Sequence, residues 1–347
     1  MKTILVTGGL GFIGSHACID LIGYGYNVLI IDSLSNSSES IYSQILNILK
    51  LDFKKDHGKV SLKKGDLRDK NWLNEIFIEC IDSGNPINAV IHCAGLKAVD
   101  ESVTNPLKYW DCNITATLNL LLVMEKYKCF NLVFSSSATV YGANDENKLK
   151  ENAPKSPLNP YGNTKLTIEI ILSDLYKSSP KNWRIALLRY FNPAGSHASG
   201  LIGENSNIAP KNLFPLIVKT ALKKQAKLSI FGNNWPTKDG TCIRDFIHVT
   251  DLASAHLATI NLLISSEPQI ISLNIGTGKG YSVLEVIETF QRVNNISVPY
   301  IFQERRKGDN YHAVANNELA LLLLNWQPVK TLEDICRDSW NFAKMIS

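Results

Sequence analysis

The chain of 347 residues has no run of five or more consecutive lysines and arginines, and no basic stripe interleaved with aromatics. Its formal net charge of +4 is spread along the sequence, which argues against a nucleic-acid or polybasic membrane surface and leaves small acidic ligands open. There is no C-x-x-C pair and no Cys/His spacing that suits zinc. The seven cysteines (Cys18, Cys80, Cys93, Cys112, Cys129, Cys242, Cys336) are an odd, scattered set, so reduced and mostly buried thiols are expected, with no metal site and no disulfide framework. No window of about 18 residues is apolar and uncharged, and the first residues read as a strand, MKTILVT, instead of a basic region leading into an apolar segment. A cytoplasmic protein is expected. Internal repeats and low-complexity tracts are also missing; the serine-rich SLSNSSES (33 to 40) reads as a loop opening a helix, with Asn and Ser as cap candidates.

What is present is ordinary globular composition, 45% apolar and 20% charged, over a length that allows one large or two medium domains with a real core. TILVT (3 to 7) and NVLIID (27 to 32) are short β-branched runs flanking a helical stretch that ends near Gly25. Similar runs recur at 59–66, 88–95, 131–137 and 183–189, separated by helical patterns such as 105–127 and 162–178. Strands alternating with helices predict an α/β fold, a parallel sheet covered on both faces. Beyond about residue 190 the pattern loosens into a long irregular stretch and helices at 212–225, 282–294 and 331–345, which reads as a smaller second lobe. The expected division is 1–189 and 190–347, with segments near 243–262 returning to the first domain.

TGGLGFIGSH places glycines at 8, 9, 11 and 14 between the first strand and the first helix. Gly9-x-Gly11-x-x-Gly14 and Gly8-x-x-Gly11-x-x-Gly14 both fit a dinucleotide fingerprint, and spacing alone does not choose between them. The physics is the same: a tight turn, a close approach of backbone to a pyrophosphate, and a helix N-terminus that offers unpaired N–H groups and the positive end of its dipole. Asp32 ends the second strand, where a carboxylate accepts hydrogen bonds from the adenosine ribose and repels a 2′-phosphate, so NAD is favoured over NADP. Asp66, at the end of the third strand, is an adenine-contact candidate and equally a helix cap.

NPYGNTK (159 to 165) holds a tyrosine four positions before a lysine. With 12 tyrosines in the chain, about one such pair arises by chance, so the pattern gains meaning only from its surroundings. Those surroundings are TGGLGFIGSH, AGLKAVDES (94 to 102), FSSSATVYG (134 to 142), LLRYFNPAG (187 to 195) and IRDFIHVTDLA (243 to 253), in that order around it. With them the sequence resembles the UDP-glucose 4-epimerase family of the extended short-chain dehydrogenases/reductases, over essentially the whole chain.

The resemblance implies a Rossmann doubly wound parallel sheet that holds NAD tightly, a smaller α/β C-terminal lobe for a UDP-hexose, and a homodimer. It implies Tyr161 as general base and acid on the sugar 4′-hydroxyl, Lys165 on the nicotinamide ribose, and Ser137 as hydrogen-bonding partner of that hydroxyl, with Ser135 and Ser136 structural. On the cofactor side it implies Gly8, Gly11, Phe12, Ile13 and Gly14, then Asp32, Asn36 and Ser37, then Asp66 and Leu67. Cys93, Ala94, Gly95, Lys97, Tyr190 and Phe191 complete that side. On the substrate side it adds Lys97, Asn192, Asn212, Phe231, Arg244, Arg306, Asp309 and Ala313, the two arginines as pyrophosphate clamps that residue type alone would leave as surface arginines.

Inverting C4 of a hexose by proton removal faces a very high barrier, because that C–H bond is not acidic. Transient oxidation by NAD, rotation of a 4-ketose and return of the hydride avoid it, and the cofactor is regenerated each turnover. Bringing a tyrosine pKa from about 10 to about 7 requires roughly 4 kcal/mol of differential stabilisation, against about 0–1 kcal/mol from an exposed ion pair. The pair must therefore work in a desolvated pocket, and at i+4 Lys165 sits on the same helix face as Tyr161. Two other readings are weaker. A nucleotide-sugar 4,6-dehydratase needs an Asp-Glu pair just after the strand-end Ser/Thr, and Ser137-Ala138-Thr139-Val140-Tyr141 has no carboxylate. A non-catalytic NAD sensor has no reason to keep Ser137, Tyr161 and Lys165 together. Ala313 stands where forms of the family favouring unacetylated sugars carry a bulky tyrosine, so N-acetylhexosamines are expected to fit as well.

Overall fold

The computed structural model describes residues 1–52, 57–143, 146–205, 212–306 and 310–346. Six strands, β1 (Thr3–Thr7), β2 (Asn27–Asp32), β3 (Val60–Lys64), β4 (Ile87–His92), β5 (Asn131–Ser137) and β6 (Arg184–Tyr190), are joined by a seventh, Gln269–Ile275, in one sheet. From one edge the order is Gln269–Ile275, β6, β5, β4, β1, β2, β3, and every pairing is parallel. This is the doubly wound arrangement expected from the alternation of strands and helices. The chain winds outward from β1 through β2 to β3, then crosses to β4 beside β1 and winds the other way, so the carboxyl ends of β1 and β4 flank a crevice where the winding reverses.

Side-chain alternation along each strand divides the core into two layers. Ile4, Val6, Ile30, Ile91 and Val133 face helix α1 (Phe12–Tyr24) and the helix Val249–Ser265. Leu5, Leu29, Val90, Leu132 and Phe134 face the helices Lys70–Asp82, Ala116–Lys126 and Pro160–Ser178. The helix Val249–Ser265, the strand Gln269–Ile275 and the helix Glu318–Leu324 all pack on this sheet, so the chain returns to the first lobe well past residue 262. The second lobe has its own core, with Phe214, Ile217, Ile230, Val286, Phe290 and Ile335 buried among its helices and short strands.

One helix differs from its expected form. The stretch 105–127 is helical in three pieces, Pro106–Trp110, a π turn at Asp111–Thr115, and Ala116–Lys126. The widened turn directs Asn113 inward, where it is 2% exposed. Among the described residues no helix is long and apolar enough to cross a membrane.

Candidate active site

At the crevice a cavity of about 750 Å³ runs from the glycine turn and Asp32 to Tyr161 and Lys165. Its floor is built by steric necessity. Gly8 has φ of +66° and a Cβ there would lie 2.7 Å from the Ala94 nitrogen, while a Cβ on Gly14 would lie 2.3 Å from the Gly8 oxygen. Gly8, Gly11 and Gly14 border the cavity, with the spacing Gly8-x-x-Gly11-x-x-Gly14, whereas Gly9 is buried and a Cβ there would lie 2.9 Å from the Ile30 side chain. Helix α1 starts after Gly11 with no side-chain cap, and its first residues Phe12, Ile13 and Gly14 border that space, so its N-terminus is left open there.

Asp32 is 8% exposed and organises the neighbouring wall. Its Oδ2 accepts from the Leu10 N–H at 3.0 Å, and its Oδ1 accepts from the Leu34 N–H at 2.9 Å and the Ser37 hydroxyl at 2.8 Å. Asp66 is no helix cap; Asp69 caps the helix Lys70–Asp82. Asp66 instead lines the cavity with Leu67, held by the Arg68 guanidinium, whose hydrogen bonds draw the Asp66 pKa below its ordinary value. Asn36, Ser37, Phe12, Ile13, Cys93, Ala94, Gly95, Lys97 and Tyr190 also border this space. Phe191 does not: its side chain packs with Val140, Tyr141, Leu149 and Ala315 on the other side of the strand end, because successive residues point to opposite faces.

The catalytic candidates are placed by local sequence. Asn159 caps the helix Pro160–Ser178 by accepting from the Gly162 N–H at 2.9 Å, and Pro160 occupies the first helical position, where its missing N–H costs nothing. Tyr161 and Lys165 therefore sit on the first turns, at the inner end of the cavity. Lys165 is 5% exposed, donates to the Ser135 carbonyl at 2.7 Å, and has its Nζ 5.9 Å from the Tyr161 ring centroid. Burial lowers the Lys165 pKa to about 8, with Cys93 acting against it. Burial also holds the Tyr161 hydroxyl above its ordinary value, opposed by a hydrogen bond from Ser137. Ser137 is suited to that role, since its Oγ already accepts from the Thr139 N–H and hydroxyl and keeps its own proton to donate.

The substrate-side candidates form three groups. Lys97 and Asn212 both donate to one oxygen of Glu204, at 2.9 Å and 2.8 Å. The Arg306 guanidinium stacks 3.8 Å from the Phe231 ring centroid. Arg244 and Ala313 are partners in neighbouring short strands, and the Arg244 guanidinium donates to the Asn310 carbonyl at 2.6 Å. Asn192 lies on a short strand beside Phe246. Of these residues only Lys97 borders the 750 Å³ cavity, and Asp309 lies outside the described residues.

Three residues that sequence reasoning did not single out organise the site. Asn113 accepts from the Leu96 N–H at 2.8 Å and donates to Thr164 at 3.0 Å, joining the cavity wall to the catalytic helix. Its signal was an Asn inside an otherwise helical pattern. Glu204 joins Lys97 to Asn212 from an irregular stretch that carries no pattern. Asp245, fully buried, accepts from the Thr277 and Gly278 N–H groups at 2.8 and 2.9 Å and from the Ala315 N–H at 3.2 Å, fixing the strand of Ala313.

Comparison with known proteins agrees with this fold. The family described as NAD dependent epimerase/dehydratase matches residues 4–276. A UDP-glucose 4-epimerase of Bacillus subtilis (strain 168) is 46% identical over 339 residues, 98% of this chain and 96% of that protein. One from Dictyostelium discoideum is 45% identical over 342 residues, 99% of this chain and 96% of that protein. The crystal structure of UDP-glucose-4-epimerase from Stenotrophomonas maltophila, with bound NAD and formylated UDP-arabinopyranose, superposes with a TM-score of 0.94 at 41% identity, covering 100% of this chain and 99% of that one. The Bifidobacterium longum UDP-glucose 4-epimerase in complex with NAD+ and UDP gives 0.91 at 40% identity, covering 99% and 98%. Given a family match over most of its length and relatives that align from end to end, the chain belongs to the NAD-dependent epimerase/dehydratase family.

Proposed function

We propose that the protein is an NAD-dependent isomerase, a UDP-glucose 4-epimerase that interconverts UDP-glucose and UDP-galactose. The observation that carries this reading is the meeting of Tyr161 and Ser137 beside Lys165 at the inner end of a cavity built on a dinucleotide-binding turn, with no carboxylate after Ser137 to serve a dehydration.

The residues present fit NAD. Gly8, Gly11 and the open N-terminus of α1 suit a pyrophosphate, Asp32 an adenosine ribose, Asp66 and Leu67 an adenine, and Lys165 a nicotinamide ribose. When bound, NAD supplies a hydride acceptor that gives the hydride back within the same turnover, and a positive charge near Tyr161. Tyr161 takes the proton of the sugar 4′-hydroxyl as C4 is oxidised, and returns it to the 4-keto oxygen after the sugar has turned over to present its other face. Ser137 donates a hydrogen bond to the same oxygen and holds it in line with Tyr161. Lys165, protonated and tied to the Ser135 carbonyl, keeps a positive charge close to the phenol in a desolvated setting, where charge acts more strongly than at a surface.

Arg244, Arg306 and Phe231 serve the UDP moiety, and the small Ala313 widens the sugar site enough for N-acetylhexosamines. A homodimer would cover the exposed apolar side chains Val103, Leu107, Leu118, Leu122 and Ile170, of which Leu107 is 82% and Leu122 49% exposed. The deciding experiment gives purified protein UDP-galactose without added cofactor and separates the products. UDP-glucose without accumulating NADH is the expected result; a keto-deoxy sugar points to a dehydratase, and no product to a sensor.

A further inference from the structure

We propose that Glu169 and Arg189 are positioning residues that set the register of the Tyr161–Lys165 helix against the serine run of β5, an inference that rests on the catalytic role given to that pair. Tyr161, Lys165 and Glu169 fall at intervals of four along one helix face. Each meets a different serine: Tyr161 the hydroxyl of Ser137, Lys165 the carbonyl of Ser135 at 2.7 Å, and Glu169 the hydroxyl of Ser136, which donates to its Oε1 at 2.6 Å. The first two contacts serve the reaction; the third is remote from the reacting atoms.

Arg189 makes the third contact rigid. It is the direct neighbour of Ser136 across β5 and β6, and its Nε and one NH2 donate to the two oxygens of Glu169 at 2.8 Å and 2.7 Å. The remaining donors reach the Tyr141 hydroxyl at 2.9 Å, the Glu151 carbonyl at 2.7 Å and the Ser272 hydroxyl at 3.3 Å, so each of the five has an acceptor. Tyr141 closes the short turn Ala138–Tyr141 that follows Ser137. One guanidinium therefore references both the helix that carries Tyr161 and Lys165 and the turn that carries Ser137. Arg189 is 1% exposed and Glu169 4%. A buried ion pair contributes little net stability compared with apolar residues of similar volume, whereas its bidentate geometry fixes orientation.

The test replaces both partners with apolar residues of similar volume, Glu169→Met with Arg189→Met, and follows melting temperature, bound NAD, KM and kcat for UDP-galactose. A displacement of about 1 Å at the reacting groups costs on the order of 10²-fold in rate. The expected result is a folded, NAD-loaded protein with KM within about twofold of wild type and kcat lower by on the order of 10²-fold, the pattern of an interaction needed only in the transition state. Glu169→Gln, which keeps the Ser136 contact, restores part of kcat relative to the double variant, and supplies the same readout if the double variant does not fold. Unchanged kcat in folded, NAD-loaded variants, or a rise in KM alone, overturns the inference. An inactive wild type overturns the proposed activity instead.

Discussion

Lys165 gives its hydrogen bond to the carbonyl of Ser135, 2.7 Å away, and not to the hydroxyl of Tyr161. The protein alone therefore does not bring the tyrosine into its working range: burial raises the Tyr161 pKa, and Ser137 is the group that acts against it. A positive charge favours the phenolate and lowers its pKa, so the missing stabilisation has to arrive with the oxidised nicotinamide. In cofactor-stripped protein no tyrosinate assignable to Tyr161 is expected below its ordinary value of 10.0. With NAD bound, one tyrosinate should appear near pH ~7 and be lost in Tyr161→Phe, which should keep NAD and lose about 10²-fold or more in kcat. Identical ultraviolet difference titrations with and without NAD would show that the cofactor charge is not the source.

Removing the lysine should separate stability from activity. Burial sets the folded pKa of Lys165 at about 8, below the 10.5 of an unfolded lysine. Between those values the unfolded chain binds more protons, so this group's contribution to stability rises with pH, and below about 8 its cost is present in full. Lys165→Met should therefore melt higher than wild type at neutral pH in the absence of NAD, by a margin of up to ~3 kcal/mol, while losing nearly all turnover. A variant that melts lower at pH 7 and gains nothing relative to wild type as pH falls from 10.5 to about 8 would contradict the buried-charge account.

The exposed leucines on the helices around the catalytic one test the assembly. Leu122 is 49% exposed and Ile170 53%, apolar side chains that a second copy could cover. Leu122→Asp should reduce the mass measured by light scattering from two chains to one. A wild type that already runs as a monomer refutes the homodimer, and a variant that stays dimeric refutes the placement.

How far the sequence disclosed this molecule depended on the range of the interactions concerned. The glycine turn, Asp32 and the start of the catalytic helix are local, set by positive φ, a strand end, and an Asn-Pro cap, and each was legible from a few neighbouring residues. The choice of Gly8 over Gly9 was not, because it turns on the Ala94 nitrogen and the Ile30 side chain lying opposite. The return of Gln269–Ile275 to the edge of the sheet was likewise hidden: the run looks like a strand, but its pairing with β6 is a long-range event. That the Phe191 side chain turns away from the cavity was hidden too, because the motif around it fixes position along the chain, not the face to which the side chain turns. Glu204 with Lys97, Asn113 with Thr164 and Arg189 with Glu169 act through partners well removed in sequence, and nothing adjacent to them announces those partners.

Acid should unfold the protein through its buried histidines. Burial lowers the pKa of His16 and His92 to about 3 and that of His256 to about 4, all from 6.5. Across that interval the unfolded chain holds protons that the folded one excludes, so stability is lost as pH falls below 6.5. Asp20 works in the opposite sense, since burial beside Asp251 raises its pKa from 3.8 to about 7 and the folded state binds the extra proton. These three histidines less Asp20 account for about two protons, or roughly 3 kcal/mol per pH unit at their steepest. His92→Asn, which keeps a polar group between Thr7 and Thr117, should flatten the slope by about one proton. Urea midpoints measured between about pH 6.5 and 4.5 give both slopes, and equal slopes would exclude His92 as a contributor.

The last prediction concerns which sugars the site takes. Ala313 is the strand partner of Arg244, and the next residue, Asp245, holds the same strand by donating its N–H to the Ala313 carbonyl at 3.0 Å and accepting from the Ala315 N–H at 3.2 Å. A substitution at 313 therefore changes side-chain volume on a firmly held backbone instead of moving the backbone itself. The reading of Ala313 as an open gate predicts wild-type turnover of UDP-N-acetylglucosamine to UDP-N-acetylgalactosamine beside that of UDP-galactose. Ala313→Tyr should close the gate by filling the space an acetamido group needs, cutting kcat/KM for the acetylated sugar by at least ~10²-fold, the scale of discrimination that pocket shape alone provides. UDP-galactose should lose no more than about threefold, since the extra ring removes room and no contact to the unacetylated sugar. A wild type inactive on UDP-N-acetylglucosamine, or a variant that loses both substrates in parallel, would place the determinant of sugar range elsewhere in the second lobe.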